Sequence, residues 1–483
     1  MTASLLANVE MAPKDPILGV TETYNADPNP KKVNLGVGVY YDDNSKVPVL
    51  KSVRAAEQKL AETAMPRNYL PIDGLAAYNK AVQAVVFGAE SEAVQSGRIL
   101  TVQTLGGTGG LKVGADLLRR LNPTAEAWIS DPSWENHRAL LEFAGFKVNT
   151  YTYYNAATHG LNFDGMLADL GKLPAGSVVV LHACCHNPTG VDLNLAQWEK
   201  VIEVVKARDL VPFLDIAYQG FADGLDADAA AVRAFTKVCP VVFVSSSFSK
   251  SLSLYGERIG TCSVVTENAD QAARTLSQLK RVIRTNYSNP STHGAQTVAA
   301  VLTTPELRQQ WEQELGQMRD RIKTMRRALV DKIRAQRADF DFSYVIDQRG
   351  MFSYSGLTKE HVRRLREEYS IYALDSGRIC VAALNSNNID YVANAIAKLT
   401  KEVKEDPKLV EELFYRILNR APSPAETNAA LAAMAVTLVP GRNRLADAVL
   451  LVLLGKLLRV REMDDQIARL WRLALGRRTS KNA

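Results

Sequence analysis

The chain is poor in the features that mark secreted, membrane-bound or nucleic-acid-binding proteins. It has five cysteines, Cys184, Cys185, Cys239, Cys262 and Cys380, odd in number and without framework spacing. Two of them are neighbours inside an apolar run, which reads as buried thiols in a reducing cytoplasm. Met1 to Glu10 lack the basic start and apolar core of a signal peptide. No uncharged stretch reaches the ~20 residues of a membrane-spanning helix. The net charge of +6 is mild, and the first four hundred residues hold no dense basic run or aromatic–basic stripe. The expectation is a cytoplasmic protein that meets neither membrane nor nucleic acid.

Other absences narrow the chemistry. Gly36-x-Gly38 has neither a third glycine nor an opening helix at the right offset, so it is no dinucleotide loop. It reads as a strand, 33–40, whose backbone passes close to something. The glycine cluster at 106–110 is not closed by Gly-Lys-Ser/Thr, so it is no Walker loop. His182, Cys184, Cys185 and His186 lack C-x₂₋₄-C spacing, and adjacent cysteines do not easily serve one tetrahedral ion. No metal is expected.

What is present is an ordinary globular composition, 47% hydrophobic and 23% charged, over 483 residues. That length implies two or three domains. Apolar strands alternate with helical segments: 99–105, 127–130, 177–181, 211–214 and 241–244 each lead into a polar loop. This order argues for an α/β fold, a mostly parallel sheet covered by helices on both faces. Polar residues at the carboxyl ends of such strands are where ligands bind. Gly106, Gly107 and Thr108 aim bare amides and a helix start at an anion, typically phosphate. Asp215 ends a very apolar strand and needs a cation or a ring N–H, supplied by a structural salt bridge or by a cofactor nitrogen.

The densest stretch is 245–260. Lys250 follows an apolar strand, where lost solvation favours the free amine that a Schiff-base lysine requires. Ser247, Ser249 and Arg258 supply phosphate donors around it. Taken alone, the stretch reads as a strand ending in a polar loop with a solvated lysine, and the case for chemistry comes from the rest of the chain. Tyr69 reads by spacing as a packed loop tyrosine, and Arg284 and Arg378 as solvated arginines. Helical spacing marks 48–63 and 304–337, and short strands are expected at 340–346, 350–354 and 377–381.

Together the motifs resemble the aspartate and aromatic-amino-acid aminotransferases, fold-type I enzymes that use pyridoxal 5′-phosphate. The shared text includes Asn-Leu-Gly-Val-Gly-Val-Tyr (34–40), Gly-Gly-Thr-Gly (106–109), Asp-Pro-Ser-Trp-Glu-Asn-His (131–137) and Cys-Cys-His-Asn-Pro-Thr-Gly (184–190). It continues with Asp-Ile-Ala-Tyr-Gln-Gly-Phe (215–221), Ser-Phe-Ser-Lys (247–250), Tyr-Gly-Glu-Arg (255–258), Arg-Thr-Asn-Tyr-Ser-Asn-Pro (284–290) and Ser-Gly-Arg (376–378). The resemblance runs in order over roughly residues 10 to 400.

The resemblance implies roles. Lys250 would bond the cofactor aldehyde and later shuttle the substrate Cα proton. Asp215 would pair with the pyridine nitrogen, Tyr218 and Asn187 would bond the ring oxygen, and Trp134 would stack on the ring. Gly107, Thr108, Ser247, Ser249 and Arg258 would hold the phosphate, with Tyr69 reaching it from the neighbouring subunit of a homodimer. Arg378 would clamp the α-carboxylate beside Gly38, Asn187 and Trp134. Arg284, again from the neighbour, would meet a distal carboxylate. The wording is closer to the aromatic branch, so aromatic amino acids and aspartate are the expected donors and 2-oxoglutarate the acceptor. A strict aspartate aminotransferase, or a non-catalytic scaffold whose tail binds a partner, is the alternative.

The implied organisation is an N-terminal arm with part of a small domain (1–45), a large cofactor domain (46–310), a small α+β domain (311–399) and an added helical segment (400–483). That last segment matches no family pattern. Helical spacing at 403–420, an apolar run at 445–460 and a basic end predict a small bundle or an assembly module.

Overall fold

Seven strands form one sheet in the order Ile99–Leu105, Ile259–Val265, Val242–Ser247, Val211–Ile216, Val178–His182, Ala127–Asp131, Val148–Thr152. The computed structural model describes residues 4, 6–12, 15–63, 66, 68–337 and 339–402. Contacts divide the chain into residues 1–397 and 398–483. Of the second unit only 398–402 are described, as the end of helix Ile389–Glu402. The helices expected between 403 and 483 lie outside the described residues. No helix among the described residues is long and apolar enough to cross a membrane.

Only Ile259–Val265 runs antiparallel, to both of its neighbours. The other six strands therefore point their carboxyl ends the same way. Their residues are buried on both faces, Val179, Leu181, Phe213, Leu214, Phe243 and Val244 all at 2% exposure or less. Near-continuous apolar strands are what a sheet covered on both sides requires. One face packs on helices Gly106–Leu121, Glu135–Phe143 and Ala269–Asn286 through Leu117, Leu141 and Ile283. Gly114 allows the closest approach, since a Cβ there would meet the Phe213 ring at 2.5 Å. The fold is α/β, as expected.

Thr304 gives way to Pro305–Gln336, a 32-residue helix opened by proline at its first turn. At one end Trp311 Nε1 donates to the Ser251 carbonyl at 2.7 Å. Further along, Arg321 donates to the carbonyls of Tyr41 and Leu384 at 2.9 and 3.0 Å. The helix thus ties the lysine loop to the short strands that follow. Phe352–Tyr354 pairs antiparallel with Arg378–Cys380, and Val33–Asn34 parallel with Ile371–Tyr372.

Four local expectations need correction. The strand expected at 33–40 pairs only at Val33–Asn34, because Arg378 then captures the Gly36 carbonyl at 2.6 Å. The helix expected from 48 starts at Lys51. The 340–346 segment is no strand: Asp341 Oδ1 accepts from the Ser343 N–H at 2.9 Å, and Tyr344–Asp347 turns helical. The 106–110 glycines form the first helical turn rather than a loop before it.

Candidate cofactor and substrate site

The sequence from Leu105 to Gly110 builds an anion cradle. Leu105 provides no side-chain cap for helix Gly106–Leu121, so the first-turn amides lack intrahelical partners and face the positive end of the dipole. Gly106 at φ +70° donates its N–H to the Arg258 carbonyl at 2.9 Å. Arg258 is itself left-handed at φ 50°. Cβ atoms would fall 2.6 Å from Arg258 Nη2 at Gly106 and 3.3 Å from Ser247 Cβ at Gly107. At Gly110 a Cβ would meet the Thr261 carbonyl at 2.5 Å. Only glycine lets the helix start this close to the strand ends. Ser247 Oγ accepts from the Ser249 N–H at 3.2 Å, and Arg258 Nη1 reaches Ser249 Oγ at 3.5 Å. Gly107, Thr108, Ser247, Ser249 and Arg258 are thereby brought together. Helix amides, two hydroxyls and a guanidinium fit a phosphate dianion.

Lys250 lies three residues past the end of Val242–Ser247, in the connection to Ile259–Val265. Burial pulls its pKa down to about 8; Arg258 pushes the same way and Asp215 opposes. Its Nζ sits 5.2 Å over the Tyr218 ring. Burial raises the Tyr218 phenol above its ordinary range, so it stays protonated.

Asp215 sits on the neighbouring strand, 6% exposed. Burial pushes its carboxyl up, but a hydrogen bond from His137, then electrostatic attraction led by His137 with Lys250 adding to it, outweigh it, leaving the pKa below the usual value. His137 Nε2 meets Asp215 Oδ2 at 3.1 Å, and Ser133 Oγ meets His137 Nδ1 at 3.0 Å. Asp215 Oδ1 has no hydrogen-bond partner among the described residues, so it is free for a ring N–H. Trp134 is half-buried and meets the His137 ring edge-on, centroids 5.3 Å apart. Burial and His137 drag His182 down to about 3, with Asp215 opposing, so it is a neutral imidazole.

Across the site Arg378 is 1% exposed. Nη1 donates to Asn187 Oδ1 at 2.9 Å and Nη2 to the Gly36 carbonyl at 2.6 Å, and the Phe352 ring lies 4.2 Å from its guanidinium. Nε has no partner, and no acidic side chain pairs with Arg378 among the described residues. A buried guanidinium with an unused donor fits a ligand carboxylate. Gly38 lies against the same Phe352 ring, 2.7 Å from where its Cβ would be.

Tyr69 and Arg284 stand apart. Tyr69 is 93% exposed, not the packed loop residue that spacing favours. Arg284 is exposed and holds Ser288 Oγ. Asn289, next along, donates to the Leu70 carbonyl at 3.0 Å, so the two segments are tied together. No hydrogen bond joins either residue to Lys250, Asp215 or Arg378 among the described residues.

Sequence reasoning missed His137, Phe352 and Ser245. His137 lay within reach: Asp215 required a ring N–H, and a histidine four residues after Ser133 on a helix could supply it. Ser245, whose Oγ donates to the Gly107 carbonyl at 2.9 Å, and Phe352 carried no signal, since serines and phenylalanines are too common to single out.

A lysine in the connection beside an anion cradle, at the carboxyl ends of a sheet of this order, defines a fold-type I transferase. The family model described as "Aminotransferase class I and II" matches residues 30–396, and the chain belongs to that family. An aspartate aminotransferase of Pseudomonas aeruginosa is 60% identical over 82% of this chain and 100% of its own length. An aromatic-amino-acid aminotransferase of Escherichia coli is 50% identical over 79% of this chain and 97% of its own. The crystal structure of an aromatic-amino-acid aminotransferase from Burkholderia pseudomallei, covalently bound to pyridoxal phosphate, is 63% identical. It superposes with a TM-score of 0.80 over 82% of this chain and 99% of that one.

Proposed function

We propose that the protein is a pyridoxal-phosphate-dependent aminotransferase that moves the amino group of aromatic L-amino acids, and of aspartate, to 2-oxoglutarate by a ping-pong mechanism. The observation that carries this reading is Lys250, an amine with a lowered pKa between a phosphate cradle and the anionic Asp215. When bound, pyridoxal phosphate supplies an aldehyde for the amine and a ring that takes up the electrons of a broken Cα–H bond.

The chain's residues divide the remaining work. Gly107, Thr108, Ser247, Ser249 and Arg258 hold the phosphate, with Tyr69 of a second copy. Asp215, kept charged by His137, holds the ring N–H. Tyr218 and Asn187 donate to the ring oxygen, and Trp134 covers the ring. Arg378 fixes the substrate α-carboxylate beside Gly38 and Asn187, which points the Cα–H bond at Lys250. Lys250 Nζ would take that proton from Cα and hand it to the cofactor's aldehyde carbon, two bonds away. Arg284 of a second copy reads a distal carboxylate. Tyr69 and Arg284 are both exposed, on segments that the Asn289–Leu70 hydrogen bond ties together, which supports a homodimer with shared sites. The division into a large domain (46–310), flanked by 1–45 and 311–399 as parts of a small one, is supported by the long helix that links the two. Five free buried cysteines support a cytoplasmic setting.

Borohydride reduction with peptide mapping tests the first claim: the label is expected on Lys250, and its absence there overturns the reading. A strict aspartate aminotransferase is the second reading, favoured by the name of the 60% identical relative. Comparing kcat/KM for phenylalanine, tyrosine and aspartate decides. Phenylalanine within about tenfold of aspartate supports broad use, because a larger gap corresponds to a lost specific contact.

A further inference from the structure

Arg326 is 1% exposed in the middle of helix Pro305–Gln336, and forms no ion pair among the described residues. Burial draws its pKa down to about 10, so it remains charged at neutral pH. A buried charge is retained only if its donors are met. Here Nη1 donates to the Val345 carbonyl at 3.3 Å and to Ser353 Oγ; Nη2 donates to the carbonyls of Gly350 at 2.6 Å and Phe352 at 2.5 Å. All four acceptors belong to one segment, 345–353. The rigid fork of a guanidinium can pin several carbonyls at once, as a hydrophobic side chain cannot.

That segment is the wall behind the substrate site. The Phe352 ring lies 4.2 Å from the Arg378 guanidinium, meets Tyr218 edge-on at 5.9 Å, and fills the space beside Gly38. Phe352 and Tyr354 pair with Cys380 and Arg378 across the two short strands. On the other side, Arg349 donates its N–H to the Gly190 carbonyl at 2.6 Å, close to Asn187. Trp311, about 22 Å back along the same helix, holds the carbonyl of Ser251 beside Lys250.

We propose that Arg326 is a positioning residue for substrate carboxylates: it fixes Gly350 to Ser353 so that Phe352 holds Arg378 in register with Lys250. This rests on the aminotransferase reading above. The α-carboxylate is common to every amino acid and oxo acid, so the effect is uniform across substrates.

The test uses holoenzyme of Arg326→Lys and Ser353→Ala. Binding of 3-phenylpropionate, a carboxylate without an amine, is followed by the absorbance of the bound cofactor, alongside kcat and KM for phenylalanine and aspartate. Loss of charge-assisted hydrogen bonds predicts that Arg326→Lys raises the Kd of the probe and both KM values by about tenfold, equally, with kcat within about threefold. Ser353→Ala, which removes one acceptor and keeps the core packed, should raise them about threefold. Unchanged probe affinity in both variants overturns the proposal, as does a fall in kcat or in cofactor retention with both KM values intact. If Arg326→Lys does not fold, Ser353→Ala decides alone. Wild-type protein that binds the probe but does not transaminate overturns the proposed function, and probe affinity in the variants still decides the role of Arg326.

Discussion

His137 Nε2 lies 3.1 Å from Asp215 Oδ2, with both side chains buried beneath the site. The contact offsets what burial does to the carboxyl and leaves Asp215 anionic. His137→Ala removes the largest opposing influence, so Asp215 protonates at higher pH than in the wild type. The acid limb of the kcat–pH profile is expected to move up, with kcat at neutral pH about tenfold lower for the lost charge-assisted hydrogen bond. An unmoved acid limb would detach His137 from Asp215.

His182 carries a stability consequence of definite sign. Its pKa falls from 6.5 to about 3 on folding, through burial first and His137 second. Below 6.5 the unfolded chain takes up a proton that the folded chain refuses. Stability is therefore lost as pH falls from about 6.5 towards 3, by on the order of 1.4 kcal/mol per unit at most. His186 and His361 are lowered too, so the wild-type slope is a sum. His182→Asn should flatten the slope by one proton's share in urea unfolding at pH 5 to 6.5. Identical slopes would assign the loss to the other histidines.

Lys250 makes cofactor capture pH-dependent. With a pKa of about 8 in the protein without cofactor, the reactive free amine is a minority at pH 7 and a majority above 8. Stopped-flow absorbance should show covalent uptake of pyridoxal phosphate accelerating through about pH 8 and levelling above it. Lys250→Ala should bind the cofactor without a covalent bond and lose turnover by about three orders of magnitude or more. A rate still rising steeply at pH 10 would mean that burial does not lower the amine's pKa.

The parallel sheet was legible because burial on both faces turns each strand into an apolar run, and because ligand groups gather at the carboxyl ends. Lys250 and Asp215 could be singled out for the same reason, each being a charged group at the end of an apolar strand, whereas Arg378 was named only through the family resemblance. The segment 340–346 could not be read, since its outcome turned on one Asp341–Ser343 hydrogen bond rather than on periodicity. Arg326 was hidden in an arginine-rich helix, where most arginines are solvated; only packing shows which one faces inward. The exposed Tyr69 was misjudged because spacing cannot say whether a loop side chain meets its own chain or another.

Arg284 offers the sharpest test of that last point. It is exposed, as is Tyr69, and no hydrogen bond ties it to Lys250, Asp215 or Arg378 among the described residues; the proposed reading of a distal carboxylate therefore assigns it to the site of a second copy. Arg284→Ala should cost aspartate several kcal/mol of transition-state stabilisation, roughly 10²-fold or more in kcat/KM, and phenylalanine little. Arg284→Ala co-expressed with Lys250→Ala then discriminates between shared and separate sites. In a mixed dimer with shared sites, one site has Lys250 from one chain and Arg284 from the other and is intact, while the second site has neither. Aspartate turnover in purified mixed dimers should therefore recover to about half the wild-type value per dimer, far above either parent. With separate sites each chain keeps its own defect, and mixing recovers nothing.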